Sequence, residues 1–331
     1  MGQLLNGEWV TRQALAADEK TGEFKRKATT FRNFIEQDEN AEFPVEANRY
    51  HLYISRACPW AHRTAILRQL KGLENVISLS LVEPVRINDG WEFSGRYPDP
   101  LHDYSYLREV YQQADPNFTG RVTVPVLWDK KKETIVNNES REIMRMLDTV
   151  FDELAENDIT LFPEKLQEEI DESITAIYEP INNGVYRAGF AGSQKAYEKA
   201  VSELFDALDH WEDVLSRQRY LCGNQLTEAD VCLFTTLYRF DTVYHTHFKC
   251  NKQRILDYPN LWEFARDLYQ TPGVAETCNM EHIKQHYYKS HPWINPNQLV
   301  AVGPNLDFEV PHNRERFDGS EKRFYAMDEA A

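Results

Sequence analysis

The sequence predicts an α/β domain followed by an all-α domain, and three observations predict it. Between residues 49 and 152 the hydrophobic pattern runs strand–helix–strand, then helix, then strand–strand–helix. From about residue 165 the pattern changes to apolar stripes spaced three and four apart, the period of core-facing helices. The chain has 331 residues, 42% of them hydrophobic, enough for two cores.

Residues 1–48 are polar with scattered aromatics (Trp9, Phe24, Phe31, Phe34) and read as an arm that packs onto something else. Residues 49–152 form the α/β domain. Tyr50–Ile54 is an apolar run that reads as a buried strand, 59–73 as a helix and 76–82 as a second strand. That is the spacing of a βαβ unit with a parallel pair. Pro84, Gly90, Gly95, Pro98 and Pro100 make 84–103 a long loop, a kind that often carries function. Residues 104–114 suit a helix and 122–128 a strand interrupted by Pro125. Lys130-Lys131-Lys132 makes a turn to a returning strand at 133–136. Residues 140–151 read as a helix with Ile143, Met146, Leu147 and Val150 on one face.

The all-α domain is expected over 165–290. Leu166, Ile170, Ile174 and Ile177 mark one helix face. Tyr197, Val201, Leu204, Leu208, Trp211 and Leu215 mark another. Thr227 can cap a helix while Asp230 reaches back to it, with Leu226 and Val231 at the staple positions. A further helix over 261–269 ends at Pro272-Gly273. Residues 291–331 are Pro/Asn-rich and then charged, an extended tail.

Net charge is −16, from 37 basic and 53 acidic residues, so nucleic acid is not an expected partner. Five widely spread cysteines (Cys58, Cys222, Cys232, Cys250, Cys278) suit a reducing cytoplasmic setting better than a disulfide framework. The N-terminus lacks a signal-like core, Asn6 breaks the myristoylation pattern, and no apolar run reaches membrane-spanning length. A cytoplasmic protein with no membrane association is expected.

Arg56-Ala57-Cys58-Pro59-Trp60-Ala61-His62-Arg63 carries the most chemistry. Pro59 suits the first position of a helix, so Cys58 stands at the cap, beside free backbone N–H groups and the positive end of the helix dipole. Such an environment favours the thiolate and creates a nucleophile. Three residues on stands Ala61, not a second cysteine, so the chemistry is expected to be monothiol and to need an external thiol. Pro125 within a strand allows two readings. A cis Val124-Pro125 bond would leave the Val124 backbone groups for an extended peptide; the other reading is a bulge or an edge strand. Glu139-Ser140 at a helix start suits a ligand carboxylate and ammonium, or is an ordinary cap. Tyr186 is one of 17 tyrosines, in a stretch where Asn and Gly interrupt helix, and only its surroundings would raise it above packing. His245, His247 and Cys250, or His282 and His286, lack the spacing of a zinc site, so no metal is expected.

The chain resembles the glutathione transferase superfamily. The βαβ–ββα order with Cys58-Pro59, the Val124-Pro125 pair, Glu139-Ser140 and the Thr227/Asp230 box carry the likeness. It implies an α/β thioredoxin-like N-terminal domain plus an all-α glutathione-transferase C-terminal domain. Within that superfamily the chain is similar to the Xi class, the glutathionyl-hydroquinone reductases. The matching stretches are 56–63, Asn88-Asp89-Gly90-Trp91, 120–129, Asn138-Glu139-Ser140, 182–190, 239–250 and 282–288. The resemblance implies that Cys58 is the nucleophile and that Trp91, Arg121, Val124, Glu139 and Ser140 bind glutathione as co-substrate. Tyr186 would be the acid/base partner of the hydroquinone, with Tyr244 and Tyr287 lining the same pocket. It also implies a homodimer. The rival readings are a general thioltransferase or dehydroascorbate reductase using the same thiol, a non-catalytic scaffold, and glutathione conjugation, which usually employs Ser or Tyr where Cys58 stands.

Overall fold

The structure is a computed structural model that describes residues 2–11 and 17–317; the tail expected over 291–331 lies outside the described residues from 318 on. The chain forms two compact units. One takes 2–11, Ala28–Asn157 and Thr277–Val300, the other 17–27, Asp158–Glu276 and 301–317.

The first unit opens with a hairpin, β1 (Gly2–Leu5) and β2 (Glu8–Thr11), where the sequence suggested only an arm. Its turn is Asn6-Gly7, with φ of 49° and 79°, the left-handed pair that a two-residue hairpin turn requires. Leu4 exchanges both backbone hydrogen bonds with Gly120, which fixes the hairpin to the unit. The main sheet contains β3 (Tyr50–Ile54) and, after helix α1 (Pro59–Leu70), β4 (Ser78–Leu81). Helix α2 (Leu107–Ala114), β5 (Val126–Asp129), β6 (Thr134–Asn137) and α3 (Ser140–Thr149) follow. Strand order is β4-β3-β5-β6, with β3 parallel to β4 and antiparallel to β5. The βαβ, helix, ββα order is as expected, with trimmed ends. Helix α1 stops at Leu70 because Gly72 turns to φ 66° and the chain leaves the helix. The strand expected over 122–128 starts only after Pro125, which cannot donate to the ladder.

Buried polar groups are placed to hold this sheet. The Asp129 carboxylate takes the Arg49 guanidinium at 2.5 Å and the N–H of Lys131 at 2.8 Å, so one side chain anchors β3 and shapes the turn to β6. Asp99 accepts from Tyr53 on β3 (3.0 Å) and from the Leu101 N–H (3.2 Å), which pins the long loop to the sheet.

The second unit holds α4 (Gln167–Ile177), α5 (Gly184–Gly189), α6 (Gln194–Leu215), α7 (Glu228–Arg239) and α8 (Pro259–Tyr269). Every residue of α7 is buried. Its capping box forms as read: Asp230 accepts from the Thr227 N–H and hydroxyl, each at 2.8 Å. The α6 stripe is corrected in its first half. Ala196 and Ala200 are buried there, while Tyr197 and Val201 are half-buried and Tyr197 bonds Lys249 O at 2.7 Å. The final described segment lies on this unit. Phe308 sits among Tyr238, Trp262 and Tyr269, and the buried Arg314 guanidinium donates to the carbonyls of Leu215 and Arg219. A last helix, α9 (Met280–Ser290), belongs to the first unit. Among the described residues no helix is long and apolar enough to cross a membrane.

Candidate active site

Cys58 occupies the backbone N-cap of α1, with Pro59 at the first helical position. Its side chain does not cap the helix; Sγ lies 3.6 Å from Val124 O. The thiol is half-buried, and Ala61, where a dithiol motif would place its second sulfur, is fully buried alanine. The Val124–Pro125 bond is cis, the backbone geometry that the first of the two sequence readings requires.

Tyr111 ties the pieces around Val124 together and was missed in the sequence, where it is one tyrosine of 17. Its hydroxyl donates to Thr123 O at 2.9 Å and lies 3.1 Å from Asn138 Nδ2. The residue before Val124 and the residue before Glu139 are thus held by a single buried hydroxyl. Only the α2 amphipathic pattern, which turns Tyr111 inward, could have signalled it.

Glu139 is the N-cap of α3 and Ser140 its first residue. Glu139 accepts from Thr29 Oγ1 at 3.2 Å and keeps partial exposure. Ser140 Oγ is buried and has no hydrogen-bond partner among the described residues, and the same holds for Trp91 Nε1. Buried polar atoms are ordinarily satisfied. Two orphans on residues that the resemblance assigns to glutathione fit a polar ligand that completes them. Arg121 is half-buried.

Trp91 is braced from α9. The His286 ring stacks on it at 5.1 Å, and His286 Nδ1 lies 2.8 Å from Pro84 O. A carbonyl only accepts, so Nδ1 carries the proton. Tyr287, next on α9, is buried with its ring 5.3 Å from that of His286. The sequence showed His282 and His286 one turn apart as possible ligands; here His282 meets the Tyr97 hydroxyl (2.8 Å), and burial holds its imidazole below the ordinary histidine range.

In the second unit the structure brings Tyr186 and Tyr244 together, hydroxyl to hydroxyl at 3.5 Å. Each depends on a π-helical turn that the sequence did not reveal. Tyr178–Asn182 precedes α5, which carries Tyr186, and Phe240–Tyr244 follows α7 and ends on Tyr244. Such turns insert a residue into a helix and recur at functional sites. Asn182 holds the first by donating to Cys232 O (3.0 Å) and Thr236 Oγ1 (2.9 Å). Asp241 holds the second by accepting from the N–H groups of Ile255 (2.6 Å) and Leu256 (3.0 Å). Cys250, once a candidate metal ligand, is fully buried, and burial pushes its thiol far above the ordinary range.

Comparison with known proteins agrees with this geometry. The family models for the glutathione S-transferase N-terminal and C-terminal domains match residues 57–150 and 194–267. Glutathionyl-hydroquinone reductase YqjG of Escherichia coli (strain K12) is 51% identical over 327 residues, covering 95% of this chain and 99% of that protein. Its glutathione-bound structure superposes with a TM-score of 0.86 over 95% of this chain and 99% of that one, at 49% identity. Glutathionyl-hydroquinone reductase PcpF of Sphingobium chlorophenolicum is 47% identical, covering 92% and 96% of the two chains. A Xi-class glutathione transferase from Natrialba magadii has a TM-score of 0.91 at 57% identity, covering 96% and 97%. With its thioredoxin-like unit, its helical unit and full-length likeness to these proteins, the chain belongs to the Xi class of the glutathione transferase superfamily, the glutathionyl-hydroquinone reductases.

Proposed function

We propose that this protein reduces glutathionyl-hydroquinones to hydroquinones at the expense of glutathione, releasing oxidised glutathione. The observation that carries the reading is a half-buried cysteine at the N-cap of α1, with alanine three residues on, in a chain about half identical to two reductases of that name along nearly its whole length.

In the proposed mechanism the Cys58 thiolate attacks the glutathione sulfur of the substrate. The sulfur–carbon bond breaks, its electron pair stays with the ring, and the ring takes up one proton. Tyr186 exchanges the proton of the ring hydroxyl, which lets the ring leave through its keto form. A Cys58–glutathione disulfide remains. A second glutathione attacks it as the thiolate, forms oxidised glutathione and returns Cys58 as the thiolate. Glu139 is suited to the glutathione ammonium, and Ser140 with the N–H groups of α3 to its carboxylate. Val124 offers backbone pairing to the peptide part. Trp91 and Arg121 complete the binding set. Tyr244 supports Tyr186, and Tyr287 lines the hydroquinone side. The free cysteines and the glutathione requirement suit a reducing cytoplasmic setting, and the likeness to the Xi class implies a homodimer.

The test is mass spectrometry after adding a glutathionyl-hydroquinone without free glutathione. One glutathione on Cys58, with one equivalent of free hydroquinone, is expected. Cys58→Ala should lose turnover and keep glutathione binding; turnover retained by that variant would sink the mechanism. A faster rate on a simple mixed disulfide than on the aromatic thioether would favour the thioltransferase reading.

A further inference from the structure

We infer that Arg26 is a positioning residue for Tyr186, holding its ring and favouring its phenolate during proton exchange with the hydroquinone. The inference rests on the proposed role of Tyr186. Arg26 lies in the segment 17–27, which the sequence suggested was only part of an arm, yet that segment belongs to the same unit as Tyr186.

Three observations place the guanidinium. Its central carbon lies 4.9 Å from the centre of the Tyr186 ring. Its Nε donates to Asn183 Oδ1 at 3.1 Å, one helical turn before Tyr186. Phe24, two residues earlier, is buried and packs edge-on against Phe190 at 5.4 Å, and Phe190 in turn contacts Tyr186. The segment is therefore anchored by an apolar side chain beside the cation, and the cation is tethered to the element that carries the tyrosine.

A cation near an aromatic face is attracted by the ring's electrons, and the attraction grows when the phenol becomes phenolate. The other charged groups around Tyr186 have partners or opposing placement. Arg187 pairs with Glu179 (3.4 Å) and Glu203 (2.7 Å), and Lys199 of α6 pairs with Glu23 (3.0 Å). Glu179 also accepts from Asn183 Nδ2 at 3.2 Å. Asp241 is engaged by two backbone N–H groups, and burial drives His247 down to about 4, so it is uncharged at neutral pH. Lys25 and Lys27 flank Arg26 and are exposed as it is; it is the Arg26 guanidinium that lies against the Tyr186 ring. Tyr244 meets Tyr186 through its hydroxyl and an edge-on ring contact at 5.9 Å, both uncharged. Arg26 is the cation placed over the Tyr186 ring itself.

The experiment compares the native protein with Arg26→Gln and Arg26→Lys. Tyr186 is titrated by NMR of ring-labelled tyrosine, its signal assigned by loss in Tyr186→Phe. Formation of the Cys58 adduct is followed by stopped flow against pH. Removing the charge should raise the Tyr186 titration by roughly half a unit to one unit, and move the rising limb of adduct formation with it. At neutral pH that slows the first half-reaction roughly three- to ten-fold. Discharge of the Cys58 disulfide by glutathione should be unchanged, and Arg26→Lys should recover part of the shift. An unmoved titration in a folded Arg26→Gln protein overturns the inference, as does equal slowing of both half-reactions. The titration reads the Arg26–Tyr186 coupling by itself. Failure of the proposed function would show separately, as no adduct in the native protein or an adduct rate indifferent to Tyr186→Phe.

Discussion

Ser140→Ala separates a ligand-binding hydroxyl from an ordinary helix cap. Ser140 Oγ is buried, with 3% of the residue exposed, and has no hydrogen-bond partner among the described residues. The cap of α3 is Glu139, whose carboxylate accepts from the Arg141 N–H. Deleting an unpaired buried hydroxyl takes away no bond, so the free protein should keep its stability or gain slightly. In the complex the hydroxyl would meet the carboxylate of glutathione, and a hydrogen bond to a charged group is worth about 1.5–3 kcal/mol. At about 1.4 kcal/mol per decade, glutathione affinity should fall roughly 10- to 100-fold.

The assay is calorimetric titration with glutathione in a Cys58→Ala background, which prevents disulfide formation. Thermal unfolding with and without glutathione gives an independent reading. At a glutathione concentration of about 100 times the native Kd, the ligand stabilises by about 2.7 kcal/mol. With affinity 100-fold weaker the same concentration stabilises by only about 0.4 kcal/mol. Unchanged affinity, or free protein weakened by the ~1 kcal/mol of a lost cap, would refute the reasoning.

Asp230→Ala should destabilise the helical unit by about 3–5 kcal/mol, because Asp230 is fully buried and its loss breaks the capping box and strands the N–H groups of Thr227 and Leu221. Urea unfolding checks this; a loss below about 1 kcal/mol would contradict it. His51 on β3 is held down to about 3, chiefly by burial and then by the Lys130 and Arg68 charges. The folded state therefore resists a proton that the unfolded chain accepts. Stability contributed by neutral His51 is present above the ordinary histidine range and drains as pH falls from there toward 3, by up to about 1.4 kcal/mol per pH unit. His51→Gln should flatten that part of the stability–pH curve, and an unchanged slope would count against the assignment.

The parts legible in the sequence are those whose cause is local. Pro59 after Cys58, and Asp230 three residues after Thr227, set helix starts within a single turn, and both starts lie where the pattern puts them. The Asn6-Gly7 turn is equally local, but its flanking strands, only four residues each, are too short for an alternating pattern to stand out. The π-helical turns were not legible, because the side chains that hold them act across the fold. Asn182 reaches α7, 50 residues on in the chain, and nothing in residues 178–182 announces that partner. The brace of Trp91 by His286 joins a loop to a helix almost 200 residues later, which no spacing rule reads. The sequence suggests an extended tail; in its described part Arg314 starts a short 3-10 turn, Arg314–Phe317, and anchors the segment by filling the carbonyls of Leu215, at the end of α6, and Arg219.

The cysteine inventory argues independently for the external thiol. Resolving a Cys58–glutathione disulfide needs a thiolate that can reach it. Cys222 is buried and its thiol is pushed up to about 12 by burial, with Asp230 adding to the shift. Cys250 is driven higher still by burial alone, and Cys232 is fully buried. Cys278 is half-buried, and its Sγ lies 3.7 Å from His62 Nε2, which also meets the Thr277 hydroxyl at 2.9 Å. Three of the four remaining sulfurs are thus buried, two of them with burial disfavouring the thiolate, and the fourth lies beside α1 against His62. With alanine at 61, this inventory favours the proposed return of Cys58 by a thiol from solution, and the polar atoms left open at Ser140 and Trp91 suit that thiol being glutathione.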